Sequence, residues 1–111
     1  MISKDIIAEI DKWLDGDKLG LIYKQEPNAQ HWARVSKVAE ELGEVIAELI
    51  LWTGQNPRKP LDTNAYGRML GELADTALTA ILAIQHFTKD EDETENIMIA
   101  RQARIGSRVN T

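Results

Sequence analysis

The chain has 111 residues, of which 43% are hydrophobic and 28% are charged, and its formal net charge is -5. This length fits one domain, 1–111, and the acidic balance argues against nucleic acid or an anionic membrane as a partner. The absence of cysteine excludes disulfides, thiolate zinc sites and cysteine nucleophiles, and it fits a cytoplasmic protein. No secretory leader is expected, because the first residues are charged, and no membrane span is expected, because the most apolar stretch, 73–84, is too short to cross a bilayer.

Apolar residues at helical spacing predict four helices, over 3–14, 28–52, 63–86 and 91–109. Ser3 is expected to cap the first helix, Gly16 and Gly20 are expected to bracket one break, and Gly54 is expected to end the second helix. Both long helices carry an apolar face expected to point to the core, formed by Trp32, Val35, Ala39, Leu42, Val45, Ile46 and Leu49 and by Leu70, Leu73, Ala77, Leu78, Ile81 and Ile84. The sequence therefore predicts an all-α, four-helix bundle.

Acidic residues lie at helical spacing on both long helices, beside the apolar face. On the second helix Glu41, Glu44 and Glu48 share one face, because residues three or four apart are neighbours on a helix. On the third helix Glu72 and Asp75 are three residues apart. If the two helices pack antiparallel, carboxylates from both are expected to converge.

Converging carboxylates repel one another, and divalent cations remove that repulsion. Mg²⁺ prefers oxygen ligands and keeps several waters, which leaves positions for phosphate oxygens. The absence of any Glu-x-x-His pattern excludes the di-iron carboxylate bundle. The alternative is that each acidic pair belongs to a solvated helix face, with Lys37 and Glu41 as an ordinary ion pair. Gly43 and Gly71, which permit close approach of a backbone or ligand, favour a converging site.

The segment Glu40-Glu41-Leu42-Gly43-Glu44, followed after 27 residues by Glu72-Leu73-Ala74-Asp75, resembles a known signature. It is similar to the EExxE…ExxD motif of the MazG-like, all-α nucleoside triphosphate pyrophosphohydrolase superfamily. The loop 53–59 resembles that of a compact single-domain subgroup from actinobacteria and their phages. The resemblance covers 32–84, about half of the chain.

The resemblance implies an enzyme that cleaves a nucleoside triphosphate between the α and β phosphates. It implies Mg²⁺ as the cofactor, with Mn²⁺ as a substitute. It implies that the metal ligands are Glu41, Glu44, Glu72 and Asp75. Glu40 and Glu41 become the catalytic candidates, with Glu40 orienting the attacking water or supporting a ligand. It further implies a homodimer or a dimer of dimers, with the site beside or across the subunit interface.

Basic residues near the acidic motifs and on the fourth helix are candidates for phosphate contact. Lys37 and Arg68 each lie one turn before an acidic pair. Arg101 and Arg104 share one face of the fourth helix, where guanidinium groups suit phosphate oxygens or, alternatively, complement the helix dipole.

Aromatic residues and histidines have alternative interpretations. Trp32 and Trp52 bracket the acidic helix and are expected either to stack on a nucleotide base or to pack in the core. His31 and His86 are isolated in the sequence, near helix ends, and are expected in surface or capping positions with no catalytic role.

Three functions remain open from the sequence. The first is the pyrophosphohydrolase with a nucleoside triphosphate substrate. The second is an activity like that of phosphoribosyl-ATP pyrophosphohydrolase, which shares the superfamily motif. The third is a non-catalytic helical module for nucleotide sensing or oligomerisation. Four retained carboxylates favour the enzyme, because a structural module has no reason to keep acids that repel one another.

Overall fold

The computed structural model describes residues 2–18 and 26–109, and these residues form helices and connecting loops, with no strand among them. Among them are four α-helices: α1 (Lys4–Trp13), α2 (Pro27–Thr53), α3 (Ala65–Thr88) and α4 (Glu91–Val109). A π-helical turn, Leu14–Lys18, continues α1. The all-α class and the four helices are thus confirmed, with every predicted boundary within two residues. Of the break expected between Gly16 and Gly20, the chain remains helical at Gly16 and as far as Lys18, and Gly20 lies outside the described residues.

The helix ends follow from local chemistry. The Ser3 hydroxyl accepts a hydrogen bond from Ile6 N, and Asp90 Oδ1 accepts from the backbone N–H groups of Asp92 and Glu93 at 2.9 and 3.1 Å. Gly54 ends α2 with a φ of 71°, a left-handed conformation that glycine adopts without strain. Lys89, directly after α3, has a φ of 54° although it carries a side chain.

The chain divides into two compact units. The terminal unit comprises Met1–His31 and Ile81–Thr111, and the central unit comprises Trp32–Ala80. In the terminal unit Ile7, Ile81 and Ala83 are buried, and α1 packs against α4.

The central unit consists of the acidic part of α2, the connecting loop and the first two thirds of α3. Its buried apolar residues are Val45, Ala65 and Met69. The loop is tied to the end of α2, because Asp62 N donates a hydrogen bond to the Leu51 carbonyl at 3.0 Å. The two helices run antiparallel within the unit, since Glu48 of α2 pairs with Arg68 while the earlier Glu41 approaches the later Glu72. This is the arrangement that brings acids from both helices together.

Much of the apolar face predicted for the core is exposed in the single chain. On α2 the exposed fractions are 75% for Trp32, 49% for Val35 and 47% for both Leu42 and Ile46. On α3, Leu70 and Leu73 are also exposed. The prediction that these residues are buried within the chain was therefore wrong, although their periodicity correctly located the helices.

None of the helices in the described ranges is long and apolar enough to span a membrane.

Candidate metal and phosphate site

Helices α2 and α3 bring three of the predicted carboxylates together in the central unit. One carboxylate oxygen from each of Glu41, Glu72 and Asp75 lies within 4.8 Å of the other two. The Glu41 side chain is 14% exposed, whereas Asp75 faces solvent. We call these three residues the carboxylate triad. The carboxylate triad has one acid from the EExxE segment, 40–44, and both acids from the ExxD segment, 72–75.

The fourth predicted ligand, Glu44, acts on the carboxylate triad through Glu72. The pKa of the Glu72 carboxyl is raised, first because it can share a proton with the Glu44 carboxyl. Burial and the negative charges of Glu44, Asp75 and Glu41 raise this pKa further. The triad therefore carries the electrostatic repulsion expected of acids that converge without a cation.

One oxygen of Glu72 has no hydrogen-bond partner. Its Oε2 atom is shielded from solvent and contacts no donor within the described residues. A buried carboxylate oxygen without a donor is costly, and such atoms are few in native proteins. This atom lies in the triad, where a bound cation would satisfy it.

Lys37 forms ion pairs with the first acidic motif. Its Nζ lies 3.0 Å from Glu40 Oε1 and 3.5 Å from Glu41 Oε1. The hydrogen bond to Glu40 is the main cause of a raised Lys37 pKa. The ordinary ion pair that the sequence allowed is therefore present, and it coexists with the triad. Glu40 itself is exposed and pairs outward with Lys37.

Arg68 is held by two carboxylates. Its Nε donates to Glu48 Oε2 at 2.8 Å, and its Nη2 donates to Asp62 Oδ2 at 2.7 Å. The guanidinium thus links α2 to the loop before α3. This arrangement was not predicted from the sequence, in which Arg68 was a candidate for phosphate contact.

The pair between Arg68 and Asp62 predicts a specific pH dependence of stability. The hydrogen bond from Arg68 is the main cause of an Asp62 pKa below its ordinary value of 3.8. Because this pKa is lowered in the folded state, the stabilisation is present above 3.8 and is lost as the pH falls through the folded value. We expect Arg68→Gln to be less stable than the parent at neutral pH, with a difference that shrinks below about pH 4.

Urea unfolding of both proteins over a pH series measures this difference. Arg58→Gln, which removes an exposed arginine from the loop that contains Asp62, is the control. A difference between Arg68→Gln and the parent that stays constant down to about pH 3 would contradict the assignment.

The predicted aromatic and arginine candidates are placed as follows. Trp52 packs on Tyr66 with ring centroids 5.0 Å apart, and Trp32 is 75% exposed. Arg101 and Arg104 are exposed on α4, in the terminal unit. A Cβ placed on Gly43 or Gly71 would meet nothing within 4 Å, so the close approach expected at these glycines does not occur within the described chain.

A buried polar cluster in the terminal unit was missed. His86, expected at the surface or as a cap, is only 6% exposed, and its Nε2 lies 2.8 Å from Nδ1 of His31. Lys89 Nζ donates to Asp11 Oδ2 at 2.8 Å and also to Asp15. Gln30 Nε2 donates to Asp15 Oδ1 at 2.5 Å. We call Asp11, Asp15, Gln30, His31, His86 and Lys89 the histidine cluster.

The histidine cluster combines an ion-pair network with a second group of side chains that could hold a metal ion. Asp11, Asp15 and His86 also place one oxygen or nitrogen each within 4.8 Å of one another. However, the Lys89 ammonium bonds to both carboxylates and places a positive charge beside them. The triad has no such cation between its acids among the described residues, apart from the contact of Lys37 with Glu41.

Comparison with protein-family models, with curated proteins and with solved structures found no match to this chain.

Proposed function

We propose that this protein is a metal-dependent nucleoside triphosphate pyrophosphohydrolase whose metal ligands are the carboxylate triad and Glu44. The observation that carries the proposal is the convergence of Glu41, Glu72 and Asp75, from two helices, within 4.8 Å. The resemblance of their two motifs to the superfamily signature supports the choice of reaction.

The donor set fits Mg²⁺. All candidate ligands are carboxylates, which are the hard oxygen donors that Mg²⁺ and Mn²⁺ prefer, and no thiolate is available in the chain. The shielded Glu72 Oε2 lacks a donor, and the raised Glu72 pKa reflects negative charges that a cation would neutralise. When bound, Mg²⁺ supplies compensating charge for the polyphosphate and makes a water molecule more acidic.

The residues around the triad have distinct proposed roles. Glu41, Glu44, Glu72 and Asp75 hold the metal, and Glu40 orients the attacking water. Lys37 pairs with Glu41 in the structure, and its proposed role in the enzyme is to contact a phosphate oxygen once Glu41 binds the metal. Hydrolysis breaks the α–β phosphoanhydride bond, and the elements of one water molecule are divided between the nucleoside monophosphate and pyrophosphate.

The decisive experiment measures pyrophosphate release from ribo-, deoxyribo- and modified nucleoside triphosphates, and from phosphoribosyl-ATP. Each substrate is tested with Mg²⁺, with Mn²⁺ and with EDTA. We expect metal-dependent formation of equal amounts of monophosphate and pyrophosphate from at least one substrate. Selective cleavage of phosphoribosyl-ATP would assign the second function left open by the sequence.

Metal binding is measured on the same protein by isothermal titration calorimetry. A folded protein that binds neither Mg²⁺ nor Mn²⁺ would contradict the carboxylate-site argument itself. Metal binding without hydrolysis of any substrate in the panel would contradict the proposed reaction and favour a nucleotide-sensing module.

We further propose that the protein acts as a homodimer or a dimer of dimers. The exposed residues Trp32, Val35, Leu42 and Ile46 lie on one face of α2, within an arc of about 80° at 100° per residue. Contiguous exposed apolar surface of this kind is typical of protein–protein interfaces. A second copy of the chain, offering the same face, would bury this apolar surface.

A further inference from the structure

The second half of α4 is exposed to solvent in the single chain. Every residue of 96–109 is exposed, over a length of about 21 Å at 1.5 Å per residue. Ile99, Ile105 and Val109, in this segment, are 54%, 59% and 80% exposed. An isolated helix of this length is only marginally stable in water, and helices in proteins are held mainly by the packing of an apolar face. A partner that covers these apolar residues would therefore stabilise the second half of α4.

An apolar groove lies beside α4 within the terminal unit. Its volume is about 490 Å³, and its walls come from the start of the chain, the end of α3 and α4. Aliphatic side chains form most of the lining, namely Ile2, Ile7, Ile81, Met98 and Ile105. The buried polar side chains at the groove already bond to each other, because Thr94 Oγ1 donates to Gln85 Oε1 at 2.7 Å. An occupant of this groove therefore needs an apolar surface.

The charge changes sign along α4. All its acids lie in 91–95, and all its arginines lie in 101–108. Lys4 of α1 pairs with two of the acids, with distances from its Nζ of 2.6 Å to Asp92 Oδ1 and 3.8 Å to Glu95 Oε1. Arg101 and Arg104 form no ion pair within the described ranges. A partner that lies along α4 is favoured when it places acids beside these arginines and basic groups beside the acidic end.

A second copy of α4 that runs antiparallel has this charge pattern. A twofold axis at Met98, which is 39% exposed, puts residues equally far before and after position 98 at the same height. Arg101 then lies at the height of Glu95 of the other copy, and Arg104 lies at the height of its Asp92. A parallel pair would instead place acids beside acids and arginines beside arginines. The charge pattern therefore favours a second copy in the antiparallel orientation.

We propose that two copies of this chain associate through antiparallel α4 helices, with the second half of each helix in the groove of the other copy. Met98 and Ile105 are seven residues apart and share a helix face, so both side chains contact the apolar lining together. The contact uses other residues than the exposed face of α2, and a protein that uses both is a dimer of dimers. This inference does not rest on the proposed hydrolysis.

Disulfide cross-linking tests this arrangement, because the chain has no cysteine of its own. Single cysteines are introduced into the Ile46→Glu protein, in which the contact through α2 is removed. Met98→Cys lies at the axis and is expected to form a covalent dimer under mild oxidation. Ile105→Cys is the matched control. Its two copies are about 21 Å apart along antiparallel helices, whereas a disulfide requires Cα atoms within about 7 Å, so it should stay monomeric.

A mixture of Ile105→Cys with Glu91→Cys tests the register, since these two positions lie at the same height in the antiparallel pair. We expect a mixed covalent dimer, identified by a tag on one copy, and no cross-linking of either variant alone. The absence of a Met98→Cys dimer, or cross-linking of Ile105→Cys alone at the rate of Met98→Cys, would overturn the proposal. A monomeric Met98→Cys protein whose groove binds anilinonaphthalene sulfonate would also overturn it, and would assign the groove to a small apolar ligand.

Charge reversal measures the same contact without a covalent bond. In the Ile46→Glu protein, Arg101→Glu is expected to raise the dissociation constant of the dimer at least about 10-fold, because it turns the attraction on both sides of the axis into repulsion. Arg58→Glu reverses an exposed arginine in the loop after α2 and should leave this constant unchanged. Light scattering over a concentration series gives both constants, and circular dichroism checks that the helices remain. Equal constants for the two variants would overturn the charge pairing that sets the antiparallel orientation.

Discussion

Replacing Glu72 by glutamine is expected to change activity and apo stability in opposite directions. Metal-dependent pyrophosphate release should fall at least about 100-fold, because even groups that only support a metal ligand cost 10- to 100-fold when they are removed. The metal-free protein should unfold at a higher temperature, because glutamine removes one of the charges that repel at the triad. The measurements are initial rates with Mg²⁺ and thermal unfolding in EDTA.

The pH dependence of apo stability follows from the same repulsion. The folded state raises the Glu72 pKa, so it binds this proton more tightly than the unfolded chain, whose ordinary value is 4.5. The contribution of protonated Glu72 is therefore full below 4.5 and is lost as the pH rises through the folded value. Glu72→Gln should remove this loss, and Mg²⁺ should offset it in the parent protein.

Glu9→Gln, which neutralises an exposed acid on α1, is the matched control and should change neither measurement. A Glu72→Gln protein that unfolds at a lower temperature in EDTA, and retains the parent rate with Mg²⁺, would show that Glu72 is a structural residue of a solvated helix face.

Replacing Ile46 by glutamate is expected to dissociate the proposed homodimer. A charge placed in the centre of a buried apolar interface is not compensated, and it costs several kcal/mol on association. We expect the dissociation constant to rise at least about 100-fold, which corresponds to about 2.7 kcal/mol. Light scattering over a concentration series measures this change, and circular dichroism checks that the helices remain.

Ile46 is a suitable position because it is 47% exposed in the single chain, so the monomer can accept the charge. Gln55→Glu adds the same charge in the exposed loop after α2, outside the apolar face, and should leave the association unchanged. A monomeric parent protein, or an Ile46→Glu variant with the parent's mass at every concentration, would contradict a dimer through this face.

The convergence of Glu41 with Glu72 and Asp75 was predictable, because the spacing of residues along a helix determines which side of the helix they lie on. Residues three or four apart share a face, and a loop of about ten residues makes two consecutive helices antiparallel neighbours. The pairing of Arg68 with Glu48 and Asp62 was not predictable in the same way. It depends on the path of the loop after Gly54 and on side-chain rotamers, which periodicity does not specify.

The histidine cluster could not be predicted because its members are distant in the sequence. Lys89 lies 78 residues from Asp11, and His31 lies 55 residues from His86. Each residue alone is typical of a helix end or a solvated face. One signal was available in retrospect, since Asp11 and Asp15 are four residues apart and therefore share a face.

The apolar face of α2 shows a different limit of sequence patterns. Hydrophobic periodicity predicts that a helix face is buried, but it does not indicate whether the same chain or another chain buries it. Val45 is buried within the chain, whereas Ile46, one position later, is not. Both were assigned to the same predicted core.

The left-handed backbone of Lys89 brings together in one residue two tasks, of which glycine could perform only one. Glycine after a helix stops it without strain, whereas a side chain there costs about 1–2 kcal/mol. Here the helix stop and the counter-charge for Asp11 and Asp15 are the same residue. A chain with glycine at this position would end α3 equally well but would lack the ammonium that contacts both acids. The presence of lysine at position 89 is therefore explained by electrostatics, because backbone geometry alone would favour glycine there.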